Sequence, residues 1–144
     1  MQTDKNLFNE MTKKYNLNTI FFAHTDQTPW GNVFVKEIVQ NKMWKIVYLD
    51  DTVIILVKDT SLTGTTKDNL PLYKGKPTNI QSLFRLANFF NKVGWQEQEE
   101  TIYQDILGKD PYSCFALYNL SVLLFQRSDP AASIYQQRLN QTCK

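Results

Sequence analysis

The chain repeats itself. Thr101-Ile102-Tyr103-Gln104-Asp105-Ile106-Leu107 recurs as Ser133-Ile134-Tyr135-Gln136-Gln137-Arg138-Leu139, at an offset of 32 residues. Upstream, Leu83-Phe84-Arg85-Leu86-Ala87 recurs as Leu117-Tyr118-Asn119-Leu120-Ser121, at an offset of 34. The two offsets agree if the second copy is shorter by two residues in its inter-helix turn, at Asp129-Pro130. A period of this length belongs to supersecondary units that cannot bury an apolar face alone and must stack. The pattern predicts two successive helical hairpins over residues 79–141. Two copies are fewer than the three that such arrays usually need, so the pair is expected to lean on the rest of the chain.

The first sixty residues follow another rhythm. Leu7, Phe8, Met11 and Tyr15 form one apolar helical face over residues 4–15. Thr19-Ile20-Phe21-Phe22-Ala23 is β-branched and aromatic and reads as a buried strand. Thr28-Pro29 opens a second helix, with a capping hydroxyl before a proline at the first helical position. That helix is expected to reach Gln40 with Trp30, Phe34, Val35 and Ile38 inward. Trp44–Leu49 and Thr52–Lys58 are two further strands, joined through Asp50-Asp51 as an antiparallel hairpin. Val53–Val57, apolar on both faces, is expected inside the sheet. The helix between the first and second strands predicts a parallel pair, and so a mixed sheet. The fold class expected is therefore α/β: a small three-stranded mixed sheet in the order α-β-α-β-β over residues 1–60, a connecting loop over 61–78, and two helical hairpins over 79–144. The loop region, from Asp59 to Thr78, lacks periodicity, and a segment so long is either mobile or functional.

Composition narrows the function. With 42% hydrophobic and 21% charged residues the chain is globular in character. Sixteen Lys+Arg against fourteen Asp+Glu leave a formal charge of +2, and no basic run is interleaved with aromatics, so nucleic acid is not an expected partner. The longest apolar run, Val53-Ile54-Ile55-Leu56-Val57, is far short of the roughly 20 residues that span a bilayer, and Met1–Lys5 has no apolar core for a secretory signal. The chain reads as soluble. One histidine, His24, and two cysteines, Cys114 and Cys143, do not have metal-site spacing, and no cofactor is expected. The two cysteines fall at the same end of the last hairpin, where a disulfide with Cα atoms under about 7 Å apart would form in an oxidising compartment.

Two resemblances carry these readings further. Tyr15–Phe22, Thr28-Pro29-Trp30 and above all Trp44-Lys45-Ile46-Val47-Tyr48-Leu49-Asp50-Asp51 resemble the soluble C-terminal domain of bacterial polytopic glycosyltransferase-like proteins of the protein mannosyltransferase type. The resemblance covers about the first 60 residues. It implies an extracytoplasmic domain whose parent carries its catalytic acids in a membrane portion, so the membrane would be met only through that portion and no catalytic residue is carried over. The 34-residue period resembles tetratricopeptide repeats, with Leu86-Ala87, Phe90, Gly94, Tyr103 and Pro111 at the family's positions. Glu99 stands where that family has a small residue, which Ala131 supplies in the second copy, and Arg138 also departs. In that family the first helix of each hairpin lines a concave surface. This implies Arg85, Asn88 and Lys92, with Asn119 and Gln126, as groups that could hold a peptide backbone or carboxylate.

Two other candidates remain. His24 follows a strand and precedes a helix, and could pair with Asp26 or Asp50 as acid and base; no glycine-rich cradle or nucleophile elbow accompanies it, and loop polarity with helix capping explains the same residues. Asp50-Asp51 could attract a cation, but two adjacent carboxylates supply too few ligands, and turn chemistry accounts for them. The sequence therefore points to a non-catalytic accessory or protein-interaction domain with a protein or peptide partner. The rivals are a free-standing soluble peptide-binding scaffold and a small enzyme using the His24 loop.

Overall fold

The computed structural model describes residues 5–70 and 79–143. The chain is mixed α/β and divides into two compact units, residues 1–76 with Lys92–Gly94, and residues 77–91 with 95–144.

In the first unit the elements run α1 (Lys5–Lys14), β1 (Thr19–Ala23), α2 (Pro29–Gln40), β2 (Trp44–Leu49) and β3 (Val53–Lys58). The order α-β-α-β-β is as expected, but the sheet is not mixed. Its strand order is β1-β3-β2, and β3 pairs antiparallel with both neighbours. β1 and β2 thus point the same way, as a helical crossover requires, without being hydrogen-bonded to each other. The reason lies in β3, Val-Ile-Ile-Leu-Val-Lys: as the most apolar strand it gains most from a central place, and Ile54 and Leu56 are fully buried there.

β1 is an edge strand, not a buried one. Phe22 pairs across with Ile54 and packs on Phe34 with ring centroids 5.0 Å apart, while Phe21 on the opposite face is 71% exposed. α1 and α2 pack on the face that carries Phe22 and Trp44. α2 buries Gly31, Val35, Ile38 and Val39, and Trp30 is turned out to solvent. In α1 Phe8 contacts Phe34 and Trp44, and Thr12 is buried, whereas Leu7 and Tyr15 lie outward. The start of α2 is built as expected: Pro29 is in the first turn and the Thr28 hydroxyl accepts from Gly31 N at 3.2 Å.

The β2–β3 hairpin carries a bulge at Val47, between the Ile46–Leu56 and Tyr48–Ile55 pairs, and its connection is Asp50-Asp51-Thr52, one residue longer than expected. Asp59 organises the chain that follows β3. The Asp59 carboxylate accepts from the Ser61 and Gly64 amides and from both the Ser61 and Thr63 hydroxyls, and the backbone NH of Asp59 donates to Met43 O. Gly64 has φ +64°, and a Cβ there would sit 3.0 Å from the Lys42 Cα, so the close approach needs glycine. This brings the buried Thr65 hydroxyl to the Ile46 amide on β2, satisfying a donor that an edge strand would leave to water. One turn of 3-10 helix follows at Lys67–Asn69; the remainder of the expected loop, 71–78, lies outside the described residues.

The second unit holds α3 (Ile80–Val93), α4 (Gln96–Lys109), α5 (Cys114–Gln126) and α6 (Ala132–Thr142). The last residues of α3 belong to the first unit. α5 packs against both α4 and α6. Phe115 stands 4.7 Å from Phe84 and 6.2 Å from Tyr103, ring to ring, which seats α5 against the two preceding helices. The core includes Leu83, Leu86, Ala87, Ile106, Ala116, Leu117, Leu120 and Leu124, all under 3% exposed. The repeat's two-residue shortfall is not in the turn: α3 and α4 are linked by Gly94-Trp95, α5 and α6 by the longer Arg127–Ala131. Instead α6 starts late, and Ser133 is its second residue where Thr101 is well inside α4. Pro130 and the positive φ of Ser128, 56°, hold the chain out of helix there.

Candidate binding face of the helical unit

The His24 loop places its polar atoms against the main chain. His24 is 1% exposed, and its Nε2–H donates to the Asp50 backbone carbonyl at 2.8 Å, not to a carboxylate. Burial lowers the imidazole pKa, and nearby Lys92 adds to this, against the pull of the Asp50 carbonyl. Asp26 Oδ1 accepts from Thr28 N at 2.8 Å, which holds its carboxyl below the ordinary range. Burial pushes the Asp50 carboxyl up, but the Val53 and Thr52 amides, the Tyr48 hydroxyl and His24 outweigh it and the net shift is downward. The arrangement is a strap joining the end of β1 to the β2–β3 turn. Among the described residues no group of three His, Cys, Asp or Glu side chains could hold a metal ion.

The five residues expected to line a peptide groove stand on α3 and α5. Lys92, within the first unit, donates from Nζ to the carbonyls of His24 and Asp26, each at 3.0 Å, and burial lowers its pKa. Asn119 donates to Phe115 O on its own helix at 2.8 Å. Arg85 and Asn88 on α3 and Gln126 on α5 are exposed.

A different set stands out on α5. This helix, Cys-Phe-Ala-Leu-Tyr-Asn-Leu-Ser-Val-Leu-Leu-Phe-Gln, contains no charged residue. A helix apolar all round belongs in an interior, yet one side of this one faces solvent. Phe115 is 41%, Tyr118 57%, Val122 37% and Phe125 77% exposed. Their spacing, i, i+3, i+7, i+10, puts all four on the side opposite buried Ala116, Leu120 and Leu123. The 34-residue offset supplies an internal comparison: the matching positions on α3 are Gln81, Phe84, Asn88 and Asn91. The same side is thus mostly polar on α3 and apolar on α5. Beside the stripe a cleft of about 940 Å³ runs between α5 and α6, lined by Ser121, Val122, Phe125, Pro130, Ala132 and Gln136 among others. Ser121, Ser128, Ala132 and Ser133 are the small residues of this lining.

No protein-family model, curated protein or solved structure matches this chain.

The stripe was missed because the repeat directs attention to polar side chains on the first helix of each pair. The signal was present in the sequence as thirteen consecutive residues with no charge.

The helical unit also holds a buried acid. Glu99 is 3% exposed and accepts from Asn91 Nδ2 and the Tyr103 hydroxyl, both at 3.0 Å. Burial pushes its pKa up, and also that of Tyr103. At the far end Cys114 and Cys143 form a disulfide with Cα atoms 5.8 Å apart, inside the expected separation.

Proposed function

We propose that the chain is a non-catalytic protein-interaction domain whose binding surface is the outward side of α5. The observation that carries this reading is the row Phe115, Tyr118, Val122 and Phe125, exposed on a helix without a single charge. Exposed contiguous apolar surface of this kind marks contact sites for other proteins. We further read α3–α6 as two tetratricopeptide-like hairpins: Leu86, Ala87, Phe90 and Tyr103 are buried, Gly94 has φ +76°, and Arg138 reaches back to donate to Pro111 O at 3.0 Å.

Photo-crosslinking tests the binding reading. With p-benzoylphenylalanine at position 125 in the producing cell, a discrete protein adduct is expected, and none with the same group at position 88. Equal labelling from both positions, or from neither, would remove it.

The domain's setting in this proposal is the extracytoplasmic side of a bacterial membrane, as part of a longer glycosyltransferase-like protein of the protein mannosyltransferase type. Two observations support it: the Trp44–Asp51 residues, and a disulfide of the sort that persists in oxidising compartments. Among the described residues no helix is long and apolar enough to cross a membrane, so the spans would lie elsewhere in the reading frame. An upstream reading frame without membrane-spanning segments would end this part of the proposal.

A further inference from the structure

Resting on the reading of α5 as a binding surface, we propose that its occupant is a second copy of this chain, with the two α5 helices lying antiparallel along each other. The spacing of Phe115, Tyr118, Val122 and Phe125 is that of a and d positions over two heptads, the narrow seam by which one helix packs on another helix of its own kind. A broader apolar face would instead suit burial in a globular core.

The seam is also complementary to itself. Its gaps of three, four and three residues are symmetric about Leu120. Turned antiparallel about a two-fold axis, Phe115 meets Phe125 of the partner subunit and Tyr118 meets Val122 of the partner subunit. Each layer then joins an a-type to a d-type position, and both aromatic ends are covered in one operation. Because α5 has no charge, two copies approach without burying an unpaired ion or placing like charges together, even though each chain carries a formal +2.

The area is of the right order. From their exposures, the four side chains offer on the order of 400 Å² of apolar surface per copy. Two copies would bury about twice that at the centre, roughly half of a standard interface of about 1,600 Å². The lip of the adjoining cleft, with Asp129, Pro130, Ser133 and Gln136, and Gln126 at the end of α5 are placed to form a polar rim around it. A short seam of this size gives a reversible dimer with a dissociation constant in the micromolar range.

Sedimentation of the full chain from about 1 to 300 μM decides the matter, with its Cys114–Cys143 disulfide intact. The wild type is expected to pass from monomer to dimer across this range. Phe125→Glu and the milder Phe125→Gln are expected to raise the dissociation constant at least 30-fold and about 5-fold, with far-UV circular dichroism unchanged. Asn88→Glu, at the α3 position that matches Val122, should leave it within twofold. A chain that sediments as a 16.8 kDa monomer throughout would overturn self-association, as would a dimer indifferent to both changes at position 125. A monomer that still gives a position-125 crosslink to a different protein would reject the second copy while keeping the binding surface. A monomer giving no such adduct would reject both.

Discussion

Tyr103 donates its hydroxyl proton to the Glu99 carboxylate at 3.0 Å, one helical turn away, and both side chains are buried. Asn91 donates to the same oxygen from α3, so one acid is held by groups from two helices. Burial raises the pKa of Glu99 above its ordinary value of 4.5. The folded chain therefore binds this proton more tightly than the unfolded one. Its contribution is fully present below about pH 4.5 and is lost as pH rises through the raised value. Glu99→Gln keeps an acceptor for both donors and removes the charge. It is expected to stabilise the protein by about 1 kcal/mol at pH 7 and to flatten the pH dependence above 4.5, read by urea denaturation from pH 4 to 8. An unchanged slope would count against the buried acid.

The disulfide should matter more. Cys114 and Cys143, separated by 29 in sequence, close a loop across α5 and α6. Replacing both with serine is expected to cost about 3–4 kcal/mol, chiefly by freeing the unfolded chain. Thermal melts of the wild type with and without reductant should show the same loss, and the double variant should no longer respond to reductant.

Asp50 organises the hairpin of the first unit. Its Oδ1 accepts from the Thr52 and Val53 amides at 2.8 and 2.7 Å, and Oδ2 from the Tyr48 hydroxyl at 2.8 Å. Asp50→Ala is expected to cost about 1–3 kcal/mol, because the amides lose a charged acceptor. With its pKa held below 3.8, this carboxylate supports the fold above that pH and ceases to do so as acid protonates it. Acid titration of the wild type against Asp50→Ala should show their stabilities converging below pH 3.8.

Two phenylalanines of α5 should differ in what they contribute to the fold. Phe115→Ala removes the ring that meets Phe84 and Tyr103, and about 1–2 kcal/mol of stability is expected to go with it. Phe125, 77% exposed, contributes little to the fold of one chain, so Phe125→Ser should change monomer stability by less than about 0.5 kcal/mol. Denaturation at low micromolar concentration separates the two.

Much of the fold was legible because local chemistry agreed with its outcome. Thr28-Pro29 opened a helix, Asp50-Asp51 stood in the turn of an antiparallel hairpin, and Val53–Val57 lay in the centre of the sheet. The four C-terminal helices followed from period alone. Errors gathered where a residue's partner is remote in sequence. The crossover helix suggested β1 beside β2, but β3 entered between them; Trp30 and Tyr15 fit an apolar face on paper and face solvent in the fold. The Asp59–Thr65 segment, with no periodicity to read, is ordered by a carboxylate and a β-strand edge.

The sequence by itself determined the order of helices and strands, that the second half of the chain is built twice, and that its two cysteines lie at one end of the last helix pair. Those are consequences of propensity, capping and period, all short-range. Only the tertiary structure decided which apolar side chains are covered. Leu120 and Phe125 are alike in kind, yet one is fully buried and the other almost free in solvent. Neighbours distant in sequence bury one side of α5 and leave the other largely in solvent, and that exposed side is where the proposed binding surface lies.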